Sequence, residues 1–228
     1  MTRPLGIAAI VLAANVYAGV VVESGDAGDL PGTAQIISGQ PSHIVGFFDA
    51  FNDQDMYRIY IPDVSKFSAS TDNSGTQLTD NSDVMLYLLD ANGFGLFAND
   101  DNPFSPGSLK AAFPGGSLSG PPGDYYLAIS MFANVPLGPS GEIFPNDPSD
   151  AVVQPFAPGS SDSELLGWSF DPFPEQIGNY EIDLTYTPEP STLTAGLAAV
   201  AFILISLPLR RRMHTGSRFR QRGPIHSS

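Results

Sequence analysis

The sequence predicts an all-β fold, an antiparallel β-sandwich or jelly roll of about eight strands. Three observations carry this. Several stretches alternate with period two, as strands with one buried face do. The connections between them are rich in Asn, Asp, Gly, Pro and Ser, and the chain holds 23 Gly and 21 Pro in 228 residues, a balance that favours turns over helix interiors. No stretch between 19 and 187 carries a 3.6-residue apolar stripe. At 42% hydrophobic residues the chain can build one ordinary core.

Taken in order, 33–38 and 43–48 are weaker strand candidates. Asp55–Ile61 is a strong one, with Tyr57, Ile59 and Ile61 on one face and Met56, Arg58 and Tyr60 on the other. After a weaker candidate at 66–71, Asp83–Leu89 is apolar on both faces, Val84, Leu86 and Leu88 against Met85, Tyr87 and Leu89, which suits a central strand. Asp90-Ala91-Asn92-Gly93 follows, and Asn-Gly favours a tight hairpin. Weaker strands are expected at 94–98 and 108–113. Asp124–Ser130 places Tyr125, Leu127 and Ile129 inward, and Tyr180–Tyr186 places Ile182, Leu184 and Tyr186 inward with Glu181 and Asp183 toward water. Between these two lies 132–178, a proline-rich insertion expected to pack over one end of the sandwich. It carries the only Trp, Trp168, in the patch Leu165-Leu166-Gly167-Trp168-Ser169-Phe170. Long loops of compact domains are often binding loops, but Trp168 reads first as a core plug.

Charge divides the chain into three parts. All 24 acids lie from Glu23 to Glu189, where Arg58, Lys66 and Lys110 are the only cations, a net charge of −21. That acidity excludes nucleic acid as a main partner, because phosphate binding needs clustered Lys and Arg. With no cysteine, disulfides, thiolate metal sites and cysteine nucleophiles are excluded. The apolar run at 5–14 follows Arg3 and precedes Val16-Tyr17-Ala18, the layout of a signal peptide over 1–18 with cleavage after Ala18. Residues 191–209 hold no charge and are long enough for a transmembrane helix, and Arg210-Arg211-Arg212 would keep its far end cytoplasmic, followed by a basic tail at 213–228.

Pro188-Glu189-Pro190-Ser191, one apolar span and the arginines Arg210, Arg211 and Arg212 resemble the PEP-CTERM sorting signal of Gram-negative bacteria over residues 188–212. The resemblance implies recognition by an exosortase-type membrane protease and delivery to the cell surface or extracellular matrix. A plain membrane anchor is the alternative. The body, expected over 19–187, resembles a second family over residues 43–130 and the last strand. Asp53-Gln54-Asp55-Met56-Tyr57-Arg58-Ile59-Tyr60, Asp83–Asp90 with Ala91-Asn92-Gly93, Ala98-Asn99-Asp100-Asp101 and Gly123-Asp124-Tyr125-Tyr126-Leu127-Ala128-Ile129 are similar to the bacterial pre-peptidase C-terminal domain. That resemblance implies a small non-catalytic β-sandwich linked to matrix binding, solubility and calcium-dependent stability, with 132–178 as a departure.

The residues offer little catalytic chemistry. His43 is the only histidine between the two apolar ends, with no nucleophile elbow near it, and reads as a surface residue. No phosphate-cradling glycine loop is present: Gly115-Gly116 lacks a following Lys-Ser or Lys-Thr pair. Calcium is the better candidate cofactor, since it takes six to eight hard oxygens and two clusters offer them, Asp53 with Asp55, and Asn99 with Asp100 and Asp101. The expectation is therefore an exported, non-enzymatic, structural or adhesive surface protein, with polysaccharide or surface proteins as partners. The alternatives are a secreted glycan hydrolase using a pair such as Asp100 and Asp101, and a ligand-binding module built on 132–178.

Overall fold

The computed structural model describes residues 19–72, 83–170 and 178–186. Among them the fold is all-β, with two short 3₁₀ turns and no α-helix. The strands are β1 (Val20–Val22), β2 (Gln35–Ile36), β3 (His43–Phe48), β4 (Gln54–Ile61), β5 (Ser68–Ser70), β6 (Val84–Asp90), β7 (Gly95–Asn99), β8 (Ala112–Phe113), β9 (Gly123–Met131), β10 (Pro136–Gly138), β11 (Gly141–Glu142), β12 (Gly167–Trp168) and β13 (Gly178–Thr185). One five-stranded sheet runs β1-β3-β13-β5-β8 and a second runs β2-β4-β9-β6-β7. A three-stranded sheet, β11-β10-β12, belongs to the insertion.

The two large sheets share one core. Ile44 and Phe48 of β3, Phe113 of β8 and Ile182 and Leu184 of β13 meet Tyr57, Ile59 and Ile61 of β4, Leu86 and Leu88 of β6, and Leu127 and Ile129 of β9. Every strand expected from the sequence forms, and the expected inward faces of β4, β6, β9 and β13 pack into this core. The fold has more strands than the eight expected, because β1 and the insertion strands β10, β11 and β12 carry no alternation long enough to show. The sheets are also not wholly antiparallel, since β1 pairs with β3 and β2 with β4 in parallel. The first four strands alternate between the sheets, so each of these pairs is joined through a strand of the other sheet, and a crossover of that kind makes neighbours parallel.

The insertion does not sit over one end of the sandwich. It covers the outer face of the second sheet, where Met56, Met85, Tyr87, Leu89, Ala98, Tyr126 and Ala128 pack against Val135, Ile143, Phe144 and Leu165. The reason lies in β6 and β9, which are apolar on both faces and need a cover on each. The cover also closes an edge: Ala98 and Val153 exchange backbone hydrogen bonds of 3.0 and 2.8 Å along β7, leaving that part of the edge unavailable for pairing with another chain. Asn92-Gly93 forms the expected β6–β7 hairpin. Gly93 has φ +86°, and its amide donates to the Asp90 carbonyl at 3.0 Å while Asp90 N–H donates to the Phe94 carbonyl at 2.9 Å, a three-residue loop with a left-handed closing residue.

The expected signal peptide with its cleavage at Ala18, the span 191–209 and the motif residues Pro188, Glu189, Pro190, Arg210, Arg211 and Arg212 lie outside the described residues. Among the described residues no helix is long and apolar enough to cross a membrane.

Because both faces of β6 are covered, truncation on either should cost alike. Leu86→Ala, facing the inter-sheet core, and Leu89→Ala, facing the insertion, should each lower the unfolding free energy by about 2–5 kcal/mol in chemical denaturation. A near-neutral Leu89→Ala would mean that the cover does not hold in solution.

Candidate metal centres

The first cluster begins with Asp55. On β4 the residues two apart share a face, so Asp55 points with Tyr57, Ile59 and Ile61 toward the gap between the sheets. It is fully buried. Its Oδ2 accepts the Tyr180 hydroxyl at 2.7 Å, and Tyr180 lies 2.6 Å from the Tyr57 hydroxyl. Tyr180 has one proton and gives it to Asp55, so Tyr57 must be the donor to Tyr180. Gly46 lets this chain form, because a Cβ there would collide with both tyrosine hydroxyls.

Asp55 Oδ1 has no hydrogen-bond partner. Glu23 and Asp26 come to it from the loop after β1, and one carboxylate oxygen from each of the three lies within 4.8 Å of the others. The loop is held by its own acids. Glu23 accepts the amides of Ala27 (3.0 Å) and Phe47 (2.7 Å), and Asp26 accepts that of Gly28 (2.6 Å). The Gly28 carbonyl in turn accepts Met56 N–H from β4 at 3.0 Å. Burial raises the Asp55 pKa to about 8, with repulsion from Asp53 and Glu23 added and the Tyr180 hydroxyl opposing. Asp53 stands beside the cluster, its Oδ2 accepting Asp49 N–H at 2.7 Å. Burial, with Asp49, Asp26 and Glu23 nearby, raises its pKa to about 6.

The second cluster is Asp83, Asp100 and Asp101, again with one oxygen from each within 4.8 Å. Asp100 is 8% exposed and its Oδ1 has no hydrogen-bond partner. Burial first, then repulsion from Asp83 and Asp101 and a hydrogen bond with the Asp83 carboxyl, together raise its pKa to about 7. Both clusters lie at one end of the second sheet, where β4 and β6 begin and β7 and β9 end. The second opens into a cavity of about 840 Å³ between that sheet and the insertion, lined also by Glu142, Phe132 and Phe170.

A third group is His43 with Glu181 and Asp183. The β3–β13 register sets His43 opposite Asp183, and His43 Nδ1 lies 2.6 Å from Asp183 Oδ1 and 2.8 Å from Glu181 Oε1. The sequence placed these two acids toward water on their strand but gave no register to join them to His43.

Of the residues expected to hold calcium, Asp53 and Asp55 are neighbours, and Asp100 and Asp101 belong to one cluster. Asn99 does other work. Its Oδ1 accepts Ala112 N–H at 2.7 Å, and its amide donates to the carbonyls of Asp101 (2.8 Å) and Ala151 (3.1 Å), fastening β7 to β8 and the insertion. Glu23, Asp26 and Asp83 were not expected. Trp168 is half-buried, stacked edge-on to Tyr87 with centroids 5.4 Å apart, and its Nε1 donates to the Asp29 carbonyl at 2.7 Å, a fastening for the cover. Both acidic clusters offer only hard oxygen donors, which suit calcium rather than zinc or copper.

Comparison with protein-family models gives no match, and comparison with curated proteins gives no significant one.

Asp53, Asp55 and Asp100 bind protons more tightly folded than unfolded, since ordinary carboxyl groups titrate near pH 4. Between about pH 4 and pH 8 the native state therefore holds more protons, and stability falls as pH rises. In chelator the melting temperature should decline across this window, and millimolar calcium should flatten the decline. A melting temperature that climbs with pH in chelator would contradict this reading. Gly46→Ala should lower the melting temperature by disrupting the Tyr57–Tyr180–Asp55 chain, and it should weaken the calcium response as well.

Proposed function

We propose that this chain is an exported, non-catalytic surface protein of structural or adhesive function, sorted by an exosortase-type protease and delivered to the cell surface or extracellular matrix. The observation that carries the proposal is the order Pro188-Glu189-Pro190-Ser191, an uncharged span at 191–209 and Arg210-Arg211-Arg212, behind an apolar start that ends at Ala18. Before processing, the span at 191–209 would hold the chain in the inner membrane with the arginines inside. The body is assigned to a sandwich of the pre-peptidase C-terminal type. Support comes from the two sheets around one core and from the quoted segments, which form β4, β6, β7 and β9.

Calcium is proposed to hold the mature body together through Glu23, Asp26 and Asp55. What supports this is a buried carboxylate oxygen without a donor, facing two further acids. An unmade hydrogen bond at a buried polar group costs about 1–3 kcal/mol, and a cation at that oxygen removes the cost. The hydrolase alternative has weaker support, because glycosidases set two carboxyl groups on opposite sides of a cleft, whereas Asp83, Asp100 and Asp101 turn one oxygen each toward a common point. A second reading, a ligand-binding module on the insertion, is favoured by the 840 Å³ cavity.

Mass spectrometry of the cell-surface form should find a chain that begins after Ala18 and lacks Arg210–Ser228. An intact C-terminus in the membrane would point to a plain anchor, and full-length chain in the cytosol would overturn the proposal. Calcium at about a hundred times its dissociation constant should add about 2.7 kcal/mol, a rise of about 5–10 °C in melting temperature. Asp55→Asn should remove the share of the rise that comes from this site.

A further inference from the structure

The cavity under the insertion has a built floor. Asp100 is 8% exposed, its Oδ1 has no hydrogen-bond partner, and Asp101 Oδ1 also lacks one. With Asp83 they present three carboxylate oxygens within 4.8 Å of one another. Such a set repels itself unless protons or a cation neutralise it. Calcium takes six to eight oxygens, so three carboxylates leave positions for oxygens from another molecule. The space for that molecule is about 840 Å³, within the roughly 300–1,000 Å³ of small-molecule sites.

The lining narrows its chemistry. Glu142 and Asp147 join the three aspartates, so an anion is repelled unless a cation bridges it, while Phe132 and Phe170 add apolar ring surface. Hydroxyl oxygens on one side and C–H groups on the other are what a sugar ring presents. We propose that Asp83, Asp100 and Asp101 bind a calcium ion and, through its remaining positions, the vicinal hydroxyls of a saccharide that packs against Phe132 and Phe170. The inference deepens the adhesive reading above and rests on it, and it uses a different cluster from the calcium site at Asp55.

The full chain, dialysed against radioactive calcium, should bind one ion fewer per molecule when it carries Asp100→Asn and Asp101→Asn together. Asp55→Asn should lose a different ion and keep this one. Asp101→Asn alone, at a half-buried position, should weaken the same site at least tenfold and serves if the double variant fails to fold. Maltotriose, mannotriose and trigalacturonate, titrated with calcium and with chelator, should include at least one that binds in calcium and not in chelator, with binding lost in the double variant and kept in Asp55→Asn. Undiminished calcium in the folded Asp100 and Asp101 variants overturns the ion site. Calcium bound there with none of the three sugars retained, or a sugar retained equally in chelator, overturns the saccharide half. Failure of the surface reading would appear in the cell-surface mass spectrum and not in these titrations.

Discussion

The second sheet cannot be left bare on either side, and the rest of the structure follows from that. Val84-Met85-Leu86-Tyr87-Leu88-Leu89 is buried residue by residue, with Val84, Leu86 and Leu88 in the inter-sheet core and Met85, Tyr87 and Leu89 in the outer one. Burying an apolar side chain of this size contributes about 1.5–3 kcal/mol, so three on the outer face make a cover strongly favourable. The chain supplies it from the residues between β9 and β13. A cover of turns and short strands cannot match a twisted sheet everywhere, and the mismatch is the cavity above Asp100. Fold and candidate site thus have one cause.

The second constraint is charge. Arg58 pairs with Asp124 and Lys66 with Asp63, both at the surface, where such pairs contribute at most about 1 kcal/mol. At Asp55 the neighbouring charges are Asp53 and Glu23, and at Asp100 they are Asp83 and Asp101. Each buried acid is therefore surrounded by others of its own sign. A fold can carry this by keeping protons, which raises pKa values, or by holding a cation. The two are exclusive at one oxygen, which is why pH and calcium act on the same groups in opposite directions.

Much of the architecture was legible because strands bury alternate residues, and period two survives in the sequence wherever a strand is long. β4, β6, β9 and β13 could be read with their faces. Val20–Val22 could not, since three valines carry no alternation and stand beside an expected cleavage point. The sites were half legible. Asp53 with Asp55 and Asp100 with Asp101 are adjacent in sequence, but their partners are brought in by topology. Glu23 reaches Asp55 only because β1 lies parallel to β3, while β3 and β4 are successive strands in different sheets. Asp83 was nearer to view: counting back from the Asn92-Gly93 turn places the start of β6 against the end of β7. A register shift between Leu88 and Leu89 spoils that count, since a bulge moves every later pairing by one.

The two clusters also bear on when such a chain would fold. Three cations against 24 acids is a poor balance for a compact body, because self-repulsion opposes compaction. Extracellular calcium modules work at about 10⁻⁴–10⁻³ M, far above the range of cytosolic sensors. If the chain is exported as proposed and the clusters at Asp55 and Asp100 hold calcium in that weaker range, the ion would be scarce where the chain is made and abundant where it is used. Folding free energy and metal binding would then be one quantity, and the full stability of the sandwich would arrive only outside the cytoplasm. The acidity that keeps the chain soluble on the way would become, on arrival, the ligand set that closes the end of the sandwich where both clusters lie.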